Sequence, residues 1–431
     1  MELLAIAILG VHFIVVLTLS RFRINMIVSF NGMWFIMALL RWLNLCNFYE
    51  IEIRTYWILV LGVVCFNIGY ILLFRLRGIS FVGIKIESRS VVNEPILFGV
   101  MIVHTVINII YASRMVPFIL SGYSLGQIRA IFQGYDDSVR FYTGQGMHRA
   151  WSYFVSPWIM VFTCVIIYSL FSKRRFRISV YVLYIVDMVA YMLYTASRAT
   201  IFNIMIFAFV YFFVYFDEIN QKKKFYFYIA IFMILAIVLI LTYMSFGNRK
   251  VGVYKAFKGL GSLYVYASGP ISLLDMFIKD ADKREITTYG AAAFYPIIRI
   301  INAFRVVLGM KKSDICLFVE KILNQKEVFR YVAPKVYFNA YGTLFYELYL
   351  DFRWVGIIVG CIFYGGMTYR IEQVWFKRKD SERKMILGGL FAVSFVYSIV
   401  RWHFSFMPYI LCFIYAFFLC NRIKFTITNN S

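Results

Sequence analysis

The sequence predicts an all-α polytopic membrane protein with about 11 transmembrane helices and one large outward-facing loop containing re-entrant or interfacial helices. Hydrophobic residues make up 62% of the 431-residue chain, and the mean hydropathy is +0.73. An ordinary soluble domain is only about half apolar. The alternating pattern of a membrane β-barrel is absent, so the backbone amides in lipid must be paired within helices.

The predicted spans are apolar runs near the 20 residues that a helix needs to cross a bilayer. The first run has no preceding Lys or Arg and no small-residue cleavage site, so we expect it to be a retained helix rather than a secretory signal. We treat residues 1–431 as a single integral-membrane domain, with residues 246–352 as its large loop. The predicted spans are 2–19, 25–43, 56–74, 95–111, 151–171, 178–196, 199–216, 225–245, 354–369, 385–400 and 404–420.

Basic residues predict the orientation of these spans. The connections on one side, together with the C-terminal tail, contain 21 Lys and Arg, whereas the longer loop 246–352 contains 15. Because the cytoplasmic side of a membrane protein is enriched in Lys and Arg, we predict an outside N-terminus and a cytoplasmic C-terminus. The large loop then faces outward.

The tight outward turn at residues 195–202 reads TASRATIF and places Arg198 just before a predicted helix. Free amides and a positive dipole end make a helix N-terminus a suitable phosphate site. The alternative is an arginine that extends to lipid headgroups.

Within the large loop, residues 289–305 form an apolar element that carries Arg299 and Arg305. The element is too interrupted to span and too apolar for water, which favours a re-entrant or surface-lying helix. Arg299 is either an interfacial anchor or a ligand-facing charge.

Four polar residues, Asn339, Thr343, Glu347 and Asp351, recur at intervals of four where the loop enters a later span. They would share one face if the stretch is helical. Such a face indicates either a hydrated cavity or capping and helix–helix hydrogen bonds.

Two further regions of the sequence contain candidate functional residues. Arg401 and His403 lie in the last outward turn, where His403 is a candidate general base. Asp187 lies mid-span, which marks a functional candidate, but the sequence around it offers no matching cation. No nucleotide-binding or metal-ligand motif is present in the sequence, so we predict no cofactor and no metal.

The TASRATIF turn, the long outer loop and the segment NAYGTLFYELYLDFRWVG at 339–356 resemble the Wzy-type polymerases of O-antigen and capsule repeat units. The resemblance implies a glycosyltransferase of the bacterial inner membrane, acting on the periplasmic face. It would transfer a growing glycan from undecaprenyl pyrophosphate to another lipid-linked repeat unit, independently of metals and nucleotides. Implied partners are the undecaprenyl-pyrophosphate-linked oligosaccharide, membrane lipids, a chain-length regulator and a flippase, and no nucleic acid.

The resemblance maps the family's outer-loop arginines onto Arg198 and Arg299. Arg401, Asn339 and Tyr341 complete the predicted substrate-binding set, while His403, Glu347 and Asp351 are the candidate catalytic residues. Three alternatives stay open: an O-antigen ligase-like transferase, a non-catalytic scaffold, and a secondary transporter or flippase of lipid-linked sugars. A transporter would show internal repeats and mid-membrane charges.

Overall fold

The computed structural model is predominantly helical, and its described residues include seven helices long and apolar enough to cross a membrane. This agrees with the all-α membrane class and indicates a membrane-embedded protein. The described residues are 1–23, 25–76, 89–134, 145–197, 199–218, 260–334, 336–339, 341–377, 379 and 381–424.

The α-helices of the described residues are α1 Glu2–Leu19, α2 Met26–Leu43, α3 Ile53–Leu76, α4 Glu94–Leu120, α5 Leu125–Gln133, α6 Gln145–Ala150, α7 Ser156–Phe171, α8 Ile178–Thr195, α9 Ala199–Val214, α10 Leu260–Lys283, α11 Tyr295–Val307, α12 Asp314–Asn324, α13 Thr343–Arg370, α14 Glu382–Val396 and α15 Met407–Leu419. Apart from α13, the helices that correspond to predicted spans begin within three residues of the predicted starts, with the π-helical turn before α7 counted as part of its span. The strands are β1 Arg89–Val91, β2 Arg330–Ala333, β3 Val336–Phe338 and β4 Arg422–Lys424, and they pair antiparallel as β1–β4 and β2–β3.

The seven long apolar helices are α1 to α4, α7 with its preceding π-helical turn Trp151–Val155, α8, and α13 with its continuation to Gln373. The predicted spans 199–216 and 404–420 are the shorter apolar helices α9 and α15. The predicted span 354–369 is only the C-terminal part of α13, which begins eleven residues earlier. The predicted span 225–245 lies outside the described residues.

The described residues group into two compact units, where the sequence predicted a single domain. The first unit takes its described residues from 1–83, 227–374 and 394–407, and the second from 84–226, 375–393 and 408–431. The first unit contains α1 to α3, α10 to α13 and the β2–β3 hairpin. The second contains α4 to α9, most of α14, and α15.

In the first unit, glycines allow α3 and α13 to pack with their backbones in contact. A Cβ atom on Gly69 would lie 1.9 Å from the carbonyl oxygen of Ile362, and one on Gly365 would lie 2.0 Å from that of Phe66. Small residues allow this close approach between membrane helices. Replacement of either glycine would therefore force the helices apart.

The described part of the large loop contains helices, as predicted. Tyr295 is buried in α11, whereas Ile297, Ile301 and Phe304 are more than half exposed. The exposed apolar face of α11 is typical of a helix that lies at a membrane interface. Residues 246–259 of the predicted loop lie outside the described residues.

Candidate functional site

The N-terminal turns of α13 are buried and carry three of the four predicted periodic residues. Thr343, Glu347 and Asp351 are 0%, 0% and 3% exposed. Asn339 does not join this face, because the helix begins only at Thr343. Its side chain instead donates a hydrogen bond to the carbonyl oxygen of Glu327 at 2.9 Å. The prediction of a common helical face is therefore wrong for Asn339.

Lys326 and Glu347 form a buried ion pair. Lys326 lies in a single 3₁₀ turn and is only 2% exposed, and its Nζ donates to Oε1 of Glu347. A Cβ on Gly342 would lie 3.0 Å from Cδ of Lys326, so the lysine would have to shift by a few tenths of an ångström to accommodate it. Burial lowers the pKa of Lys326, and the negative charge of Glu347 opposes that shift. The ammonium and the carboxylate thus compensate each other away from water.

Among the described residues, one oxygen of the Glu347 carboxylate is paired and the other is buried without a hydrogen-bond donor. Oε1 receives Lys326 and lies 3.5 Å from Oγ of Ser405. Oε2 is buried and has no hydrogen-bond partner among the described residues. Buried polar atoms are nearly always paired, so an exception needs an explanation.

The last predicted outward turn lies against the start of α13. The backbone amide of Thr343 donates to the carbonyl of Val400 at 3.0 Å. Arg401 extends from this turn to Glu327, with 2.9 Å between Nη2 and Oε1, and its guanidinium lies 5.4 Å from the ring centroid of Phe406. Its side chain is 19% exposed. Arg401 therefore brings a positive charge to the turn region of Lys326.

His403 occupies the same turn, but its surroundings weaken it as a base. Its imidazole stacks on Tyr397 with 5.1 Å between ring centroids. Desolvation lowers the pKa of His403 to about 3, and the positive charges of Arg401 and Lys326 add to the effect. A general base works best with a pKa near the operating pH. His403 is thus neutral at pH 7 and holds a proton weakly.

Asp351, the third candidate base, has both carboxylate oxygens occupied. Oδ1 accepts from Oγ1 of Thr288 at 2.6 Å and from the amide of Ala292 at 2.9 Å, and Oδ2 accepts from the amide of Ala293 at 2.9 Å. These bonds attach the loop that precedes α11 to helix α13. With these bonds, Asp351 is better suited to anchor the loop than to accept a proton from a substrate.

Immediately after Asp351, α13 is interrupted at Phe352 and Arg353. Arg353 has φ 54° and ψ −130°, a conformation that costs a residue with a side chain about 1–3 kcal/mol. Its guanidinium pairs with Asp282, which also pairs with Arg54 and accepts from the hydroxyl of Tyr349 at 3.0 Å. These contacts hold the interruption in place. Sequence analysis did not identify Asp282.

Two of the remaining predicted substrate-binding residues, Tyr341 and Arg299, lie against aromatic rings. Tyr341 stacks on Phe338, with 4.6 Å between ring centroids. The guanidinium of Arg299 lies 5.6 Å from the ring centroid of Tyr295 on α11. Arg198 lies outside the described residues. The structure therefore brings Glu347, His403 and Arg401 together around Lys326, which the sequence did not single out.

The second unit contains a separate buried polar network. Nδ1 of His104 lies 2.8 Å from both carboxylate oxygens of Asp187, and Nε2 lies 3.0 Å from the carbonyl of Val155 in the π-helical turn. Asn108 donates to Asp187 at 2.8 Å and accepts from the hydroxyl of Tyr194 at 2.7 Å. The mid-span aspartate thus has a partner from another helix, which sequence analysis missed. The four-residue spacing of His104 and Asn108 was the available signal.

No protein-family model, curated protein or solved structure matches the chain. Its function must therefore be inferred from its residues and their geometry.

Proposed function

We propose that this chain joins undecaprenyl-pyrophosphate-linked oligosaccharide repeat units into a surface polysaccharide. The reaction would take place on the periplasmic face of a bacterial inner membrane, in a protein of about 11 spans with an outside N-terminus and a cytoplasmic C-terminus. The observation that carries the proposal is the buried carboxylate of Glu347. One of its oxygens is held by Lys326 and the other lacks a donor among the described residues.

In the proposed reaction, a hydroxyl of the acceptor sugar attacks the anomeric carbon of the growing glycan. The bond from that carbon to the pyrophosphate oxygen breaks, and the polyprenyl pyrophosphate leaves with the electron pair. The hydroxyl proton passes to Oε2 of Glu347 as the new glycosidic bond forms. Lys326 holds the carboxylate in its orientation through Oε1.

Cationic residues would stabilise the departing pyrophosphate. Negative charge collects on this group in the transition state, so fixed arginines lower the barrier. Guanidinium groups also bind phosphate oxygens in a bidentate manner. We assign this role to Arg401, which is partly exposed beside the Lys326 turn, and to Arg198 and Arg299. Neutral His403 would serve as a hydrogen-bonding group for sugar hydroxyls rather than as the base.

The buried pair of His104 and Asp187 favours a second candidate function, a secondary transporter or flippase of lipid-linked sugars. Ionisable residues within transmembrane helices often belong to ion or proton pathways. The pair lies between α4 and α8, both long enough to span. Transport by this pair would not require Oε2 of Glu347.

One reconstitution separates the candidates. The purified full chain in nanodiscs receives undecaprenyl-pyrophosphate-linked repeat units and EDTA, without nucleotides, and the products are separated on a gel. A polymerase gives a ladder spaced by one repeat unit, which Glu347→Gln abolishes. Glu320→Gln, on the partly exposed carboxylate that pairs with Lys312, is the matched control and should leave the ladder intact.

One result would contradict the role of Glu347, and two others would contradict the polymerase itself. A ladder that persists in Glu347→Gln would remove Glu347 from catalysis. Transfer onto a lipid A core, with no ladder, would indicate a ligase-like transferase. Movement of intact lipid-linked units across proteoliposome membranes, with no new glycosidic bond, would indicate a transporter.

A further inference from the structure

An open groove runs between α10 and the β2–β3 hairpin in the first unit. Its volume is about 500 Å³. The lining combines aromatic rings with charged groups: Met276, Lys279, Asp280, Phe329, Arg330, Tyr331 and Tyr337.

Three aromatic side chains stand exposed in this groove. Phe329, Tyr331 and Tyr337 are 56%, 45% and 53% exposed. Tyr331 and Tyr337 are directly opposite each other in the β2–β3 register, with 3.8 Å between ring centroids. A cluster of exposed rings is typical of a ligand-binding groove or of a membrane-interaction site. Aromatic faces with a polar hydroxyl at one edge suit sugars, whose C–H faces are apolar and whose edges bear hydroxyls.

The polar groups of the groove are held in fixed positions. Nη1 of Arg330 lies 2.6 Å from Oδ2 of Asp280, and its guanidinium lies 4.7 Å from the ring centroid of Phe277. Nζ of Lys279 lies 2.6 Å from Asp275. A guanidinium provides donors and a carboxylate provides acceptors. Together they match the alternating donors and acceptors of sugar hydroxyls.

The hairpin that forms the groove is connected to the turn of the ion pair. Phe329 follows Lys326 by three residues in the chain. At the other end of the hairpin, Asn339 donates to the carbonyl of Glu327 at 2.9 Å. The groove and the Glu347 site are therefore parts of one folded segment.

We propose that this groove binds the oligosaccharide of the glycan substrate, at sugar residues beyond the two that react. The proposal rests on the proposed function, because it assigns the glycan chain of that reaction to the groove. A saccharide fits better than a lipid headgroup. Aromatic rings alone would anchor the protein at a membrane interface, whereas the fixed Asp280 carboxylate supplies an acceptor for hydroxyls.

The test uses the full chain in nanodiscs and the free reducing oligosaccharide released by mild acid from the lipid-linked repeat unit. Binding is measured by saturation-transfer difference NMR and titration calorimetry. The double variant Tyr331→Ala/Tyr337→Ala should bind about tenfold more weakly, because both stacking faces are removed. Phe294→Ala is the matched control, since Phe294 is 59% exposed in the same unit but does not line the groove, and it should bind as wild type.

The outcomes separate this inference from the polymerase proposal. Binding that is lost in the double variant supports the groove even if no ladder forms, in which case only the polymerase proposal fails. A wild-type ladder without oligosaccharide binding overturns the groove and leaves the polymerase standing. Equal binding by the wild type and the double variant also overturns it. A double variant that binds normally but melts earlier in nanodiscs would assign the rings to the membrane interface instead.

Discussion

Replacing Lys326 with methionine should strongly destabilise the first unit. Methionine retains much of the apolar stem of the lysine but leaves the 0%-exposed carboxylate of Glu347 without its cation. For two unit charges about 4 Å apart, the attraction is about 4 kcal/mol at an effective dielectric constant of about 20. Removal of one partner from a buried pair costs about 3–5 kcal/mol, because the other charge is left uncompensated. We therefore expect the free energy of unfolding to fall by about 3–5 kcal/mol.

The assay is chemical unfolding in detergent micelles, followed by intrinsic fluorescence. Lys312→Met is the matched control, because it breaks a partly exposed pair with Glu320 at 3.4 Å and should cost about 0–1 kcal/mol. The double variant Lys326→Met/Glu347→Leu removes both charges and should recover most of the loss. The reasoning is refuted if Lys326→Met costs no more than Lys312→Met, or if the double variant is less stable than Lys326→Met.

Three further predictions concern His403, Asp351 and Gly69 in the first unit. Gly99 in the second unit is the control for Gly69. His403 has a pKa of about 3 when folded and about 6.5 when unfolded, so the unfolded state binds more protons between these values. Stability should fall as the pH drops from about 6.5 towards 3, and melting curves of His403→Gln should lose part of that dependence. Asp351→Asn should weaken the anchored loop by about 1–3 kcal/mol and speed its proteolysis, whereas lost activity at unchanged stability would indicate catalysis instead. Gly69→Ala places a Cβ 1.9 Å from a facing carbonyl and should lower the melting temperature, unlike Gly99→Ala, whose Cβ would meet nothing within 4 Å.

The apolar spans could be predicted because hydropathy depends only on local sequence. The start of α13 could not. Hydropathy begins that span at residue 354, directly after the interruption at Phe352 and Arg353, and it excludes residues 343–353 because Glu347, Asp351 and Arg353 are expensive in lipid. In the structure these charges are matched by Lys326, by loop amides and by Asp282. The matching groups lie 21 to 71 residues away along the chain, so they cannot be read from the helix itself.

The candidate site, like the spans, could be predicted only where its signal is local in the sequence. The four-residue spacing identified Glu347 as a candidate, because helical periodicity is a local property of the sequence. Lys326 lies in a separate loop segment of ordinary composition, and only the packing of its turn against α13 reveals its role. Asp187 was recognised as an intramembrane charge, but its partner His104 is 83 residues away on another helix. Tertiary packing selects such partners.

The surroundings of the three candidate bases distinguish their roles. Asp351 accepts three hydrogen bonds at 2.6–2.9 Å, which leaves little capacity for a substrate proton. Desolvation of His403 disfavours a proton on its ring, and the positive charges of Arg401 and Lys326 add to this effect. Glu347 has a cation on one oxygen, and its other oxygen is buried without a donor among the described residues. Only this third arrangement pairs a carboxylate with a cation and leaves one of its oxygens without a donor among the described residues, and for that reason we propose Glu347 as the proton acceptor of the transfer reaction.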